Sequence, residues 1–428
     1  MKVLIVAEHA SALFGGEAIL PLHYFRVLRS RKGVDAWLVS HERTREELVS
    51  VFPDALDRMV FVPDTSAHRF LWQLSKLLPH RLAGFTTGMA MRLLTQSVAR
   101  RAALQLIKAH GIQVVHQPMP VSPKDPSLLH GLGVPVVIGP MNGGMDYPPA
   151  FLGMQGSFVS ILLRMGRKLS SLVNRIFPGK RQAACLLVAN ARTQAALPAG
   201  HAQNVIELVE NGVDLDVFRA QREAPGEGVC HFVFCGRLVD WKAVDIVLDA
   251  FAALPDRARA SLSVVGDGPE RVALEDRARQ GGLLAGQERE PGKVFFAGWL
   301  SQKACAEFLR RADVEVLPSL MECGGAVVLE AMAMGLPVIA TRWGGPADYL
   351  DADCGILIDP LGRTEMVQGF TEAMGRLVAD SDLRLRMGQA GMARVQAVFD
   401  WEKKVDRILT VYQQVIDTGS RLAIKVSK

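Results

Sequence analysis

The chain has 428 residues, 49% hydrophobic and 22% charged, which excludes a disordered protein and predicts two globular domains. No stretch of 18 uncharged apolar residues occurs, so no membrane-spanning helix is expected, and the short apolar run of MKVLIVAEHA is not typical of a signal peptide. The six cysteines form no CxxC pair, so we expect reduced thiols in a cytosolic protein, without a disulfide framework or a zinc site.

Positive charge is concentrated in the first half of the chain. Residues 1–200 carry 23 Lys and Arg against 11 Asp and Glu, whereas the remainder carries 26 against 33. This split predicts an anionic partner for the N-terminal half. The basic stretch FVSILLRMGRKLSSLVNRIF (158–177) contains aliphatic residues at helical spacing rather than exposed aromatics, so nucleic acid is not the expected partner. Two interpretations remain: a packed helix with a solvated face, or an interfacial helix on an acidic membrane.

Strand-like and helical patterns alternate along the chain. In the first half the strand-like runs are VLIVA (3–7), AWLVS (36–40), VVH (114–116), PVVIG (135–139) and CLLVA (185–189). In the second half they are HFVFCG (231–236), LSVVG (262–266), KVFFAG (293–298), VEVLP (314–318), PVIAT (337–341) and GILID (355–359). Helical patterns separate most of these runs, which predicts a doubly wound parallel sheet in each half.

The segment QREAPGEGV (221–229) has the Pro, Gly and charge content of a surface connection. We expect a first domain over about 1–205, with a helical insertion at about 65–109, and a second domain over about 206–395. A final helix, about 396–418, has apolar residues on one face and is predicted to cross back and complete the first domain.

The first half contains two glycine loops after predicted strands: Phe14-Gly15-Gly16-Glu17 and GPMNGGMD (139–146). Adjacent glycines allow close approach of a ligand, although a plain structural turn explains each loop equally well when it is taken alone. Neither loop is a dinucleotide fingerprint, because G-x-G-x-x-G is absent. His116 ends the predicted strand VVH, and His9 follows the first predicted strand. Both lie where a parallel sheet binds its ligands, and core packing is the alternative for each.

The string GRLVDWK (236–242) directly follows the first strand of the second half. Arg237 and Lys242 place two cations near the carboxyl end of that strand, which suits a diphosphate. Two solvated surface residues are the alternative interpretation.

The string MECGGAVVLEAMAMG places Glu322 and Glu330 on either side of a glycine turn and a helix start. The helix N-terminus near Ala326 offers backbone N–H groups and a positive dipole end to a phosphate. The two carboxylates suit neutral hydroxyls, such as those of a ribose or a hexose. Together these groups predict a site for a sugar nucleotide.

These strings resemble the retaining glycosyltransferases of family 4, most strongly from Asn211 to Pro360. The resemblance implies an α/β protein of the GT-B fold, with two Rossmann-like domains facing each other across a cleft and a C-terminal helix crossing back. The sequence departs from the family at Ala243, where glycine is usual and the change is expected to be minor. It also departs at Gly324, where an aromatic residue is frequent and glycine is expected to open the pocket.

The resemblance implies that Arg237 and Lys242 hold the donor diphosphate, Glu330 the ribose hydroxyls, and Glu322 the donor sugar. The implied catalytic residues are His116, Glu322, Arg237 and Lys242. The implied donor-binding residues are Gly15, Gly16, Arg237, Lys242, Gly324, Gly325, Ala326, Val327 and Glu330.

The expected reaction moves a sugar from a UDP- or GDP-sugar to a glycan or lipid-linked acceptor, with neither a cofactor nor a metal. The expected location is the cytoplasm or the inner face of the cytoplasmic membrane, which the basic N-terminal domain would contact. The alternatives are a GT-B epimerase or phosphorylase, and a non-catalytic sugar-nucleotide-binding protein.

Overall fold

The computed structural model describes residues 1–14, 16–77, 86–155, 170–219 and 228–426. The chain divides into two compact units. The first unit comprises Met1–Gly144, Phe158–Glu210 and Trp401–Lys428, and the second comprises Met145–Ser157 and Asn211–Asp400. The division after Glu210 lies a few residues beyond the boundary expected from the sequence, and the short second-unit segment Met145–Ser157 was not foreseen.

The first unit is built on a parallel sheet with the order β3-β2-β1-β4-β5-β6-β7. Its strands are β1 Lys2–Val6, β2 Asp35–His41, β3 Met59–Val62, β4 Val114–Gln117, β5 Val136–Met141, β6 Cys185–Val188 and β7 Val205–Glu207. Its helices before the second unit include α1 Ile19–Ser30, α2 Arg45–Val51, α3 Ser66–Ser75, α4 Thr87–His110, α5 Gly179–Gln182 and α6 Ala191–Ala195. Alternate strand residues enter two cores: Val3 and Ile5 pack on one face of the sheet, and Leu4 and Val6 on the other.

The second unit repeats this plan, with the parallel order β10-β9-β8-β11-β12-β13. Its strands are β8 Cys230–Cys235, β9 Ala260–Val265, β10 Val294–Gly298, β11 Val314–Leu317, β12 Val338–Thr341 and β13 Gly355–Ile358. Its α-helices include α7 Val244–Ala252, α8 Arg271–Gln280, α9 Gln302–Arg311, α10 Ala326–Ala333, α11 Gly345–Tyr349, α12 Arg363–Ala379 and α13 Ser381–Arg394. Strand order reverses between β8 and β11, and ligands of open parallel sheets bind beside such a reversal, at the carboxyl ends of the strands.

The C-terminal helix α14, Trp401–Val426, packs into the core of the first unit, as the sequence predicts. Trp401 stacks on His23 of α1 with ring centroids 4.9 Å apart. Arg31, just after α1, binds Glu402 and Asp406 of α14 at 2.5 and 2.9 Å. The last helix of the chain is therefore a structural part of the first unit.

Two predictions of helices agree with the structure only in part. The stretch 65–109 contains α3 and α4, and α4 packs on β2 and β3 as the crossover helix between β3 and β4 rather than as an added insertion. Within the basic stretch 158–177, residues 170–176 are helical, and residues 158–169 lie outside the described residues. Most of the predicted connection 221–229 also lies outside them.

Candidate functional site

The loop after β8 carries Arg237 and Lys242. The backbone N–H of Leu238 donates to the carbonyl of Asp267 at 3.0 Å, which fixes the start of this loop to the loop after β9. A single 3-10 turn, Asp240–Lys242, ends the loop and positions the Lys242 side chain. Arg237 is exposed and forms no ion pair with another residue in the described part of the chain. It is therefore available to an anionic ligand.

The loop after β11 carries Glu322 and leads into α10. Gly325 has φ +83°, which favours glycine, and a Cβ at this position would make a tight contact of 3.0 Å with Cγ of Glu322. The N–H of Gly345, at the start of α11, donates to the carbonyl of Glu322 at 2.8 Å and holds the loop in place. No described side chain caps the N-terminus of α10, so its first N–H groups remain suited to an anion.

Lys242 and Glu322 form an ion pair between these two loops. The side chains are only 14% and 15% exposed, so water screens the pair weakly. The contact arises because β8 and β11 are neighbours in the sheet and both loops leave the same edge. The structure thus brings together two residues that the sequence analysis assigned to different parts of one ligand.

Glu330 lies one turn into α10 and is half-buried. Burial raises the pKa of its carboxyl group to about 7. Near neutral pH this group therefore exchanges between a hydroxyl-accepting carboxylate and a neutral acid.

Glu315 is a third acidic residue at this site, and the sequence motifs do not predict it. It lies in the middle of β11 with no exposed surface, and one carboxyl oxygen accepts the N–H of Cys235 at 3.2 Å. Burial raises its pKa well above the ordinary value, the Cys235 hydrogen bond opposes this, and the charges of Glu330 and Lys242 act on it in opposite directions. Glu330 and Lys242 therefore both lie within electrostatic range of Glu315. A glutamate inside the otherwise apolar predicted strand VEVLP is the sequence feature that could have indicated this residue.

His116 is not placed where a catalytic residue would be. Its side chain is completely buried, its Nε2–H donates to the Gly139 carbonyl at 2.6 Å, and its Nδ1 accepts from the Tyr412 hydroxyl at 2.7 Å. Burial lowers its pKa to about 4, which matches a neutral ring with both nitrogens bonded. The proposed catalytic role is therefore corrected to a core role, joining β4, β5 and α14.

Of the first glycine loop, Gly16 is exposed with φ +53° and begins a 3-10 turn, Gly16–Ala18. Gly15 lies outside the described residues. The two glycine loops follow β1 and β5, which are separated by β4 in the sheet, so the loops do not leave adjacent strands. No contact of Gly16 assigns it to a phosphate.

A second polar cluster lies at the carboxyl edge of the first sheet. Glu8 and His9 follow β1, and Arg43 follows β2. Arg92 of α4 binds Asp125, in the loop after β4, at 3.0 Å. Burial raises the pKa of Glu8, and the charges of Arg92 and Arg43 oppose that rise. The cations are balanced by nearby carboxylates, which suits an uncharged ligand rich in hydroxyl groups.

None of the described helices is both long enough and apolar enough to cross a membrane.

Known proteins resemble part of this chain in sequence. Residues 230–380 match the family described as Glycosyl transferases group 1. The lipopolysaccharide core biosynthesis glycosyltransferase LpsE of Rhizobium meliloti is 34% identical over 194 residues, covering 45% of this chain and 52% of LpsE. The D-inositol 3-phosphate glycosyltransferase of Mycobacterium bovis is 36% identical over 227 residues, covering 49% of this chain and 44% of the relative. This chain thus spans about half the length of the curated relatives it matches.

Solved structures resemble nearly the whole chain in fold. Sucrose-phosphate synthase of Thermosynechococcus elongatus has a TM-score of 0.64 at 17% identity, covering 97% of this chain and 99% of the other. The Anabaena protein HepE in complex with UDP gives a TM-score of 0.64 at 16% identity, covering 97% and 100%. At these identities the likeness establishes fold alone. The chain thus has the two-domain GT-B fold, and the part of its second unit that contains Lys242, Glu322 and Glu330 is similar to the group 1 glycosyl transferases.

Proposed function

We propose that this protein is a retaining glycosyltransferase that moves a sugar from a UDP- or GDP-sugar to a hydroxyl group of a glycan. The observation that carries the proposal is the Lys242–Glu322 pair beside the N-terminus of α10, at the carboxyl edge of the second sheet. Support comes from the match of residues 230–380 to the group 1 glycosyl transferases. The Anabaena protein HepE, of similar fold, has been crystallised with UDP and with UDP-glucose, which favours a nucleotide-sugar donor here.

The donor diphosphate is assigned to Arg237, Lys242 and the first N–H groups of α10. Without ligand, Glu322 neutralises Lys242. A diphosphate brings more negative charge than one carboxylate, so it competes well for the ammonium group. Glu322 is then released to accept hydrogen bonds from hydroxyls of the donor sugar. Glu330, in its ionised form, accepts the ribose hydroxyls.

Transfer breaks the bond between the anomeric carbon and the diphosphate oxygen, and its electron pair leaves with the diphosphate. The acceptor oxygen bonds to the anomeric carbon, and its proton passes to the departing diphosphate oxygen. Negative charge grows on the diphosphate while the sugar ring gains cationic character. Arg237, Lys242 and the α10 N-terminus stabilise the former charge, and this electrostatic term supplies most of the proposed rate enhancement.

The acceptor is assigned to the first unit, at the polar cluster of Glu8, His9, Arg43, Arg92 and Asp125. Its balanced charges suit the hydroxyl groups of a glycan better than a free anion. The relative LpsE is named for lipopolysaccharide core biosynthesis, which supports a lipid-linked or polysaccharide precursor glycan as the acceptor. The proposed place of reaction is accordingly the inner face of the cytoplasmic membrane.

The first test is thermal stabilisation by UDP, GDP and their sugars. A ligand that binds only the folded protein raises Tm, and one of the two nucleotide series should do so. Lys242→Ala and Glu330→Ala should abolish the shift and most of the transfer activity without unfolding the protein. Lys303→Ala, an exposed lysine in α9, is the matched control and should behave as wild type.

Product analysis then identifies the reaction. A glycosylated acceptor with retained anomeric configuration supports the proposal. A changed sugar nucleotide formed without acceptor indicates an epimerase, and a sugar phosphate formed from a glycan and inorganic phosphate indicates a phosphorylase. Binding without any turnover, or full activity of the Lys242→Ala variant, contradicts the proposal.

A further inference from the structure

Two helical segments of the first unit present large apolar side chains to solvent. On α3 and just beyond it, Phe70, Trp72 and Leu77 are 64%, 54% and 80% exposed. In segment 170–176, Leu172 and Ile176 are 55% and 63% exposed and lie four residues apart, on one helical face. Single exposed apolar residues are ordinary, but such groups on consecutive turns mark a surface that contacts something apolar.

The opposite sides of both segments are fixed to the body of the unit. His68 of α3 is buried and hydrogen-bonds Thr95 of α4 at 3.0 Å. Asn174 is buried and donates to the carbonyl of Lys124 at 2.8 Å. Phe70, Leu172 and Ile176 therefore lie on the sides of the helices away from these anchors, whereas Trp72 lies one turn after His68 on the anchored side.

The two anchor points adjoin one another. Arg92, one turn before Thr95 in α4, binds Asp125, which follows Lys124 in the chain, at 3.0 Å. Both helical segments are thus held to the same part of the first unit, through α4 and the loop after β4.

Positive charge predominates in the sequence around both segments. Residues 65–124 contain eight Lys and Arg and no Asp or Glu, and residues 147–206 contain seven and none. Arg69, Lys76 and Arg175 are exposed on the two segments, and the Lys76 ammonium lies 5.4 Å from the centre of the Trp72 ring. The carboxylates of Asp64 and Asp125 are paired with Arg43 and Arg92. The other cations, interleaved with apolar groups, complement a bilayer surface of anionic lipid headgroups.

We propose that α3 with Leu77, together with segment 170–176, forms a membrane-docking surface for anionic lipid. A second copy of the chain is the less suitable occupant, because two such surfaces would bring like charges together. The proposal goes beyond the sugar transfer, since docking requires neither donor nor acceptor. It would hold an enzyme of lipid-linked glycans beside its acceptor.

The test is co-sedimentation of the full chain with phosphatidylcholine vesicles, with and without phosphatidylglycerol. We expect binding only to the anionic vesicles, weakened by added salt. The triple variant Phe70→Ser, Trp72→Ser, Leu77→Ser and the charge variant Lys76→Glu, Arg175→Glu should each lower the partition coefficient by at least about tenfold. The matched control replaces three exposed apolar residues of the second unit, Val272, Trp299 and Leu361, by serine and should bind as wild type.

Circular dichroism and the UDP- or GDP-induced Tm shift show whether each variant is folded, and the charge variant tests the surface even if the triple variant is unstable. Equal binding to neutral and anionic vesicles, or binding unchanged in both variants, overturns the proposal. So does light scattering that shows a wild-type dimer lost in the triple variant, which would assign the surface to a second copy. Transfer to a water-soluble acceptor reports on the proposed function separately, because it needs no vesicles.

Discussion

Lys242 and Glu322, 80 residues apart in the chain, form a weakly exposed ion pair where two neighbouring strands of the second sheet end. The pair holds the loop after β8 to the loop that starts α10. It therefore connects the stability of the second unit to the groups proposed to bind the donor.

The pair should be measurable as a coupling energy. In a double-mutant cycle with Lys242→Met and Glu322→Gln, we expect a coupling of about 0.5–3 kcal/mol, because each single variant leaves a poorly hydrated charge unpaired. Chemical unfolding of the second unit gives the measurement. The exposed pair Arg279–Asp276 in α8 is the control and should give less than about 0.5 kcal/mol. Equal coupling in the two cycles would show that burial of the Lys242 pair has no energetic consequence.

Glu330 should make the ligand-free protein less stable as pH rises. Its pKa is raised by burial from the ordinary 4.5 to about 7, so between these values the unfolded chain ionises first and stability falls. Below pH 4.5 the protonated Glu330 makes its full contribution to the free energy of unfolding, and above about pH 7 that contribution is lost. Glu330→Gln should flatten this dependence in part, since Glu315 shifts in the same direction.

Thermal unfolding of wild type and variant across pH 4–8 checks this expectation. Glu372→Gln, an exposed glutamate of α12, is the control and should keep the wild-type pH profile. A profile for Glu330→Gln that is parallel to wild type would contradict the raised pKa.

Ala243 is a site at which glycine should stabilise the protein. Its backbone is left-handed, with φ 49° and ψ 38°, a region that costs an alanine about 1–2 kcal/mol. The greater freedom of glycine in the unfolded chain offsets part of this gain, so Ala243→Gly should add about 0.5–1 kcal/mol. The same change at Ala273, inside α8, should instead remove about 0.5–1 kcal/mol. Destabilisation by both changes would show that the strain is absent.

The hydroxyl of Tyr412 should contribute more to the free energy of unfolding than the hydroxyl of its neighbour Tyr24. Tyr412→Phe leaves Nδ1 of the buried His116 without a donor, at an expected cost of about 1–3 kcal/mol. Tyr24 packs against the same imidazole, with centroids 4.9 Å apart, but its buried hydroxyl has no hydrogen-bond partner among the described residues. Tyr24→Phe should therefore be neutral or slightly stabilising. Chemical unfolding distinguishes the variants, and equal losses would contradict the His116 geometry.

Much of the fold is predictable from the sequence, because both sheets consist of buried parallel strands that appear as apolar runs. Every predicted strand is present, with ends that differ from the prediction by at most two residues. The missed strands, β3 and β7, are the edge strands of the first sheet, with four and three residues. The apolar run MVFV could have revealed β3. The triplet Val205–Glu207 has no apolar run of this kind. It forms a strand because it pairs with β6, and that pairing cannot be read from the three residues themselves.

The sequence predicts which residues of the candidate site lie close together only where those residues follow neighbouring strands of one sheet. Lys242 and Glu322 both follow strands of one sheet, so their proximity follows from topology. His116 lies one residue before the end of β4, but its role depends on the hydrogen bond from Tyr412 of α14, which is 296 residues away in the chain. The change at Ala243 was expected to be minor, whereas the structure places it in left-handed backbone, a property that composition does not reveal.

The placement of α14 has a consequence for biosynthesis. On the ribosome, residues 211–400 are translated before the segment that contributes Trp401 and Tyr412 to the first unit. The second unit can thus fold while the earlier one still exposes the apolar groove that α14 will fill. During that interval the nascent chain offers a binding surface to chaperones, and a ribosome stalled before codon 401 would leave the N-terminal portion, rather than the newest one, incomplete.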